Sequence, residues 1–363
     1  MSSHARTLLD TICQLPITQA VRVINVCGGH ERTIAQAGLR SLLPPHIELI
    51  PGPGCPVCIC PEADIRLAIE IARHEPVILL AFGDMLRVPI NVAAPAPRTL
   101  EQAKAQGADI RPIATPTEAL NIARAHPHLA VVFFVAGFET TCAPVAALLA
   151  EGIPDNLYLL MSGRLTKPAV ALLLDTETPS FDALIAPGHV ASIMGADEWR
   201  FVSAQHQLPT AIAGFTAEGL LTALYAVLRQ WLEGKPQLDN CYPQVVKAQG
   251  NRLAQQLLQT QFQQLDAPWR GIGNIPASGF ELSAQNAAHD ARQRYSAYTT
   301  HADDPIGTMP PGCACASVVM GHTKPNGCAL YGKPCTPQHP IGPCMVSDEG
   351  ACRIWWAAGI SRS

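Results

Sequence analysis

The chain has 363 residues, 48% hydrophobic and 15% charged, with a formal net charge of −4, enough apolar material for two or three domains with large buried cores. That charge excludes the strongly basic face of a nucleic-acid binder, and no run of about 18 apolar residues offers a membrane span. Residues 1–16 carry neither the apolar segment nor the small-residue cleavage site of a secretory signal, so a cytoplasmic location is expected, where thiols stay reduced and clustered cysteines serve metals or catalysis rather than disulfide staples.

Residues 21–26 (VRVINV) read as a buried parallel strand closed by Cys27-Gly28-Gly29-His30. Helical spacing over 32–43 stops at Pro44-Pro45. A strand at 47–50 runs into Gly52-Pro53-Gly54-Cys55-Pro56-Val57-Cys58, a helix covers 63–73, and a strand at 77–82 (VILLAF) ends at Gly83-Asp84. The alternation then returns. A strand at 130–136 ends at Gly137-Phe138-Glu139-Thr140-Thr141, followed by a helix at 144–149, a strand at 157–161 and a helix at 167–174. A strand at 183–186 ends at Pro187-Gly188-His189-Val190, and one at 210–213 ends at Gly214-Phe215, with helices at 199–206 and 217–231. Strand, loop and helix in repetition predict an α/β fold. The reading is of two similar parallel-sheet domains, 21–115 and 116–232, facing one cleft.

Beyond Leu232 the texture changes to a Gln-rich helix at 245–262, turn-rich stretches at Trp269-Arg270-Gly271 and 276–279, and, from Pro305, a Gly-, Pro- and Cys-rich segment of little periodicity. Together with 1–20, residues 233–363 are expected to form a helical and irregular third domain around an Fe–S cluster. Metal binding would supply the stability that apolar periodicity does not.

Ligands of parallel α/β sheets bind beyond the carboxyl ends of the strands. Cys27, Cys55, Cys58, Asp84, Glu139, Thr140 and His189 all stand there. One such loop is more often an ordinary turn; five of them, all carrying Cys, His, Glu or Asp, point to a shared cleft.

Of the 13 cysteines, six fall in the last 51 residues. The spacing Cys315-x12-Cys328-x6-Cys335-x16-Cys352 on Gly/Pro-rich backbone suits a 4Fe–4S cluster. A four-cysteine zinc site is the alternative, without the paired Cys-x2-Cys knuckles of a zinc ribbon. Cys313 and Cys344 are surplus, and Cys313 could replace Cys315 as a ligand. Cys55 and Cys58 have the spacing of a reversible disulfide or of two buried free thiols, and Cys60 adds a third sulfur. Cys27 with His30 suits either a nucleophile with its base or two ligands for iron. No phosphate-binding glycine motif or serine-nucleophile elbow occurs.

These loops, with Phe82-Gly83-Asp84-Met85-Leu86-Arg87-Val88-Pro89, Trp269-Arg270-Gly271 and the tail from Cys335-Thr336-Pro337 through Gly342-Pro343-Cys344-Met345-Val346-Ser347 to Glu349-Gly350-Ala351-Cys352, resemble the NiFe-hydrogenase maturation factor HypD family nearly end to end. The resemblance implies a scaffold that, with a small HypC partner, holds Fe(CN)2CO while it is assembled for the hydrogenase large subunit. Cyanide would come from a HypE donor as a thiocyanate. It implies Cys27 as the iron-holding thiol with His30 beside it, Cys55 and Cys58 as the redox pair, and Cys315, Cys328, Cys335 and Cys352 as cluster ligands.

The chain departs from the family pattern at three places. Glu31-Arg32 follows His30 where the family has Thr-His, Gly214-Phe215-Thr216-Ala217 stands for Gly-Phe-Glu-Pro, and a histidine is missing near Gly163-Arg164. Outside the resemblance, the cysteines are also compatible with a general Fe–S thiol-disulfide oxidoreductase, or with a non-catalytic, zinc-stabilised interaction protein.

Overall fold

The computed structural model describes residues 2–175, 179–299 and 309–361, so the expected start of the cysteine-rich segment at Pro305 lies outside the described residues. Among the described residues eleven strands form two sheets: β1 (Val21–Asn25), β2 (Ile47–Pro51), β3 (Val77–Phe82), β4 (Ile110–Ile113), β5 (Ala130–Gly137), β6 (Leu157–Arg164), β7 (Ala183–Ala186), β8 (Thr210–Ile212), β9 (Leu238–Asn240), β10 (Phe262–Trp269) and β11 (Gly273–Leu282). The first sheet, in order β2-β1-β7-β8-β9, is parallel throughout. The second, β10-β11-β6-β5-β3-β4, is parallel from β6 to β4, with β10 and β11 added antiparallel at one edge.

Both sheets are covered on both faces, which is why their strands are continuously apolar. In β3, Val77, Leu79 and Ala81 enter one core while Ile78 and Leu80 enter another. In β7, Ala183 and Ile185 pack against the helix Ala217–Glu233, and Leu184 and Ala186 against the opposite core. Period-two alternation thus survives inside a uniformly hydrophobic run.

The sheets do not follow the expected division of the chain. Residues 21–51 pair with 183–240 in the first sheet, and 77–164 pair with 262–282 in the second. Segments 21–115 and 116–232 therefore each supply strands to both sheets. The segments expected to form a third domain are likewise shared. The helix Ser3–Cys13 packs in the core of the first sheet, β9 extends that sheet, and the cysteine-rich segment buries Val318, Val319, Tyr331, Met345 and Trp355 in the same core as β3 and β5.

The turn-rich stretch is a hairpin of β10 and β11. Its outward Gln263, Gln264 and Asp266 conceal the strand pattern. Trp269 Nε1–H donates to Ser278 Oγ at 2.9 Å and Ala277 N–H to Asp266 Oδ1 at 2.9 Å, closing it. The Gln-rich helix is shorter than expected, Arg252–Gln261. The helix after β1 starts earlier, at Gly28, and ends before Gly38, whose φ of 63° breaks it from Leu39–Leu42. Among the described residues no helix is long and apolar enough to cross a membrane.

Candidate thiol and metal centre

β1 delivers Cys27 to the N-cap of the helix Gly28–Gln36, and β2 delivers Cys55 to the N-cap of Pro56–Ile59. Two glycines lock these loops together. A Cβ on Gly54 would lie 2.5 Å from Cys27 Cα, and Gly28 N–H donates to Gly54 O at 3.1 Å. On Gly28 a Cβ would meet the Glu349 backbone oxygen at 2.7 Å. The C-terminal segment is therefore pressed onto the same spot. Asp348 N–H donates to Asp84 Oδ2 at 3.0 Å, which brings in the end of β3.

Cys55 and Cys58 form a disulfide, with Cα atoms 5.4 Å apart. Around it lies a small cavity lined by Cys27, Cys55, Cys58, Cys344 and Glu349. A wider cleft opens beside it at the ends of β3, β4 and β5, lined by Val57, Asp84, Thr141, Ser347 and Glu349. Carboxyl ends from both sheets thus converge on the segment around Cys344–Cys352.

Cys27 is buried, and burial pushes its thiol up to about 12, against the lowering influence of the His30 and Gly29 amides. His30 is fully buried, and burial pulls its imidazole down to about 4. His30 Nε2 lies 3.0 Å from the Ala213 carbonyl oxygen, which can only accept, so Nε2 carries the proton. Nδ1 is left with a free lone pair and no partner, the state in which an imidazole binds metal. Phe215 lies between two histidines, stacked on His189 at 3.7 Å and 4.8 Å from His30. The loops after β1, β7 and β8 thereby meet.

Glu139 and Thr140 begin the helix Glu139–Glu151 after β5. Glu139 is buried away from the cleft lining: its Oε1 accepts Thr166 N–H at 2.7 Å and its Oε2 the Thr166 hydroxyl at 2.8 Å. Burial raises its carboxyl to about 7, from an ordinary 4.5. Between those values the folded chain binds the extra proton, so this group's stabilisation is complete at low pH and is lost as pH rises through about 7. Urea midpoints compared near pH 5 and pH 7.5 should fall less for Glu139→Gln than for the wild-type chain. Equal slopes would rule this out.

All six C-terminal thiols occupy one neighbourhood at the edge of the core shared with β3 and β5. All six are free thiols; Cys313 interacts with Cys315 and Cys328, and Cys344 with Cys315 and Cys352. These thiol–thiol hydrogen-bonding interactions hold Cys313 and Cys344 below the ordinary cysteine range and Cys315, Cys328 and Cys352 above it. Cys335 is raised by burial. Among the described residues no three Cys, His or carboxylate side chains already converge as metal ligands. As a donor set, soft sulfurs gathered at turns and at the starts of short helices fit an Fe–S cluster.

Two features were not legible as functional. Cys344, surplus by spacing, both touches the thiol group and lines the cavity with Cys27 and the disulfide; its place in Gly342-Pro343-Cys344-Met345 was the available signal. Glu31, one of the departures, is buried. Its carboxylate accepts Trp355 Nε1–H at 2.6 Å, Arg40 Nη2–H at 2.8 Å and Asn25 Nδ2–H at 2.9 Å. Arg40 also lies over the Trp355 ring at 4.8 Å. This network ties the helix that carries Cys352 to the helix that follows Cys27.

Comparison with known proteins gives one answer. The HypD model, described as "Hydrogenase formation hypA family", matches residues 3–359. The hydrogenase maturation factor HypD of Rhodobacter capsulatus is 38% identical over 347 residues, covering 94% of this chain and 90% of that one. Those of Azotobacter vinelandii and Escherichia coli are each 37% identical, covering 94% and 93% of this chain and 90% and 88% of theirs.

Proposed function

The chain belongs to the HypD family of hydrogenase maturation factors, and on that premise we infer that it is the scaffold on which the Fe(CN)2CO group of a NiFe hydrogenase is assembled. The observation that carries this reading is the single cavity shared by Cys27, the Cys55–Cys58 disulfide and Cys344. A thiol for the iron cargo, a reversible dithiol and the C-terminal sulfur group are contiguous there.

Cys27 holds the iron, giving up its proton as the metal replaces it. The free Nδ1 of His30 and the His189–Phe215 stack shape the space beside that loop. Cys55 and Cys58 exchange two electrons and two protons on passing between disulfide and dithiol. Cys328, Cys335 and Cys352, with Cys313 or Cys315, would hold a 4Fe–4S cluster. Such a cluster supplies single electrons when bound. Cyanide reaches the iron from a HypE-type thiocyanate donor, a HypC-type small protein shares the cargo, and the hydrogenase large subunit receives it. These steps belong in the cytoplasm.

The test is anaerobic co-purification of the chain with its HypC-type partner, with iron, acid-labile sulfide and zinc analysis and infrared spectroscopy. Cyanide and carbon monoxide stretches fall in a window that is otherwise empty for protein. Bands there, with about four cluster irons and matching sulfide per chain, are expected. Stoichiometric zinc without sulfide, and an empty window, would overturn the reading.

A further inference from the structure

Asn25 closes β1 two residues before Cys27 and is 1% exposed. It stands opposite Pro51 of β2, and its carbonyl oxygen accepts Gly52 N–H at 2.8 Å, at the start of the loop that carries Cys55. Its side-chain nitrogen is committed as well. Nδ2–H donates to Glu31 Oε2 at 2.9 Å and to Ile50 O at 3.1 Å. A carbonyl oxygen only accepts, so the nitrogen of the amide, and not its oxygen, faces Ile50. Oδ1 takes the other branch of the amide, and there it is buried without a partner.

Asn25 lines the same small cavity as Cys55 and Cys58, together with Cys27, Glu31 and Cys344. That cavity measures about 10 Å3, the lower limit for a single water, so the groups around it stand close together and the acceptor is best met from the wall itself. Cys27 and Cys344 are free thiols in that wall, yet Oδ1 has no partner. Cys55 and Cys58 have no S–H to give while they are joined, and Cys55 Sγ itself accepts, from Cys58 N–H at 3.1 Å. A buried acceptor left unpaired costs free energy. Here that cost falls on the disulfide state.

On the reading of Cys55 and Cys58 as a reversible redox pair, we propose that Asn25 is the positioning residue of that pair, its Oδ1 accepting an S–H that reduction creates at the cavity. In the step a dithiol reductant gives two electrons and two protons. The S–S bond breaks, one S–H forms on each sulfur, and the reductant leaves as its own disulfide. One of the new S–H groups meets Oδ1. A thiol is a weak donor, so the gain is modest, but the disulfide has nothing to set against it. The dithiol is held in place beside Cys27, and the potential of the pair is raised. Glu31 contributes by fixing which end of the amide faces the sulfurs.

The test uses the full chain, purified anaerobically: wild type, Asn25→Leu and Glu31→Gln. Each is equilibrated in a series of dithiothreitol redox buffers, quenched in acid and alkylated, and the peptide bearing Cys55 and Cys58 is read by mass spectrometry. Asn25→Leu keeps the volume and removes the acceptor. It is expected to favour the disulfide about fivefold more than wild type, a fall of about 20 mV for a two-electron couple. Glu31→Gln disturbs the same hydrogen bonds but leaves Oδ1 in place, and is expected to move the potential by less than half as much. An unchanged potential in Asn25→Leu overturns the proposal, and so does an equal fall in both variants, which would trace the effect to the network and not to the acceptor. Should Asn25→Leu fail to fold, Asn25→Asp/Glu31→Gln decides. It keeps one carboxylate and one amide in contact and turns a carboxylate oxygen, a stronger acceptor, to the cavity, so the potential should rise; an unchanged or lower value overturns the proposal. A wild-type disulfide that no buffer in the series reduces overturns the redox-pair reading and this proposal together, an outcome distinct from the others.

Discussion

Cys27→Ala is expected to abolish hydrogenase maturation in cells that depend on this chain, while the iron and sulfide of the C-terminal thiol group stay at wild-type content. Cys27 is the one thiol in the cavity that is free and not part of the C-terminal group. Alanine keeps a small apolar residue at a buried position, so the cost to folding is limited to a modest cavity. On the scaffold reading the cargo loses its sulfur ligand: Cys55 and Cys58 are tied to each other, Cys344 belongs to the C-terminal thiol group, and Glu349 is a hard donor for soft low-spin iron. The infrared bands of cyanide and carbon monoxide should vanish from the co-purified complex. A general disulfide reductase would behave otherwise, keeping its activity in Cys27→Ala and losing it in Cys55→Ser. Normal hydrogenase activity in the Cys27→Ala strain would overturn the scaffold reading.

Gly54→Ala is expected to cut maturation by about a hundredfold, the scale on which an ångström of misplacement acts on a reacting pair, with the Cys55–Cys58 disulfide still able to form. The added methyl would lie 2.5 Å from Cys27 Cα and 2.6 Å from Cys27 N and C. All three atoms are backbone, so no rotamer change relieves the clash and the two loops must move apart. The Gly28 N–H to Gly54 O bond is expected to lengthen or break with them. Thiol trapping with mass spectrometry should then show Cys55 and Cys58 still cycling between states, because they sit on one helical turn and carry their own geometry. Transfer between that pair and Cys27 is what fails. Wild-type maturation by Gly54→Ala, with its thermal unfolding unchanged, would show that the two loops need not touch.

The order of elements was legible from residues alone, for a local reason. Runs such as VILLAF and AVVFFVA are apolar on both faces, and only strands covered on both sides tolerate that. Gly-containing polar loops then mark the carboxyl ends where Cys27, Cys55, Asp84 and His189 belong. The hairpin of β10 and β11 was not legible, since an edge strand with Gln263, Gln264 and Asp266 turned outward has a burial rhythm too weak to separate from a loop. The membership of the sheets was not legible either. A strand's pattern says that it must pair, not with which partner, and the choice of β7 rather than β3 beside β1 depends on burying both faces at once.

By itself, then, the sequence determined the α/β alternation, the thiol-bearing loops and the family to which they belong, because those depend on neighbours within a few residues. Only the tertiary structure decided that Cys344 joins the cavity, that Glu31 binds the Cys352 helix through Trp355, and that Arg270 is buried against Glu62 with two nitrogens unpaired. Each joins residues up to 324 positions apart, and at such separations the partner is chosen by the packing of two interleaved sheets.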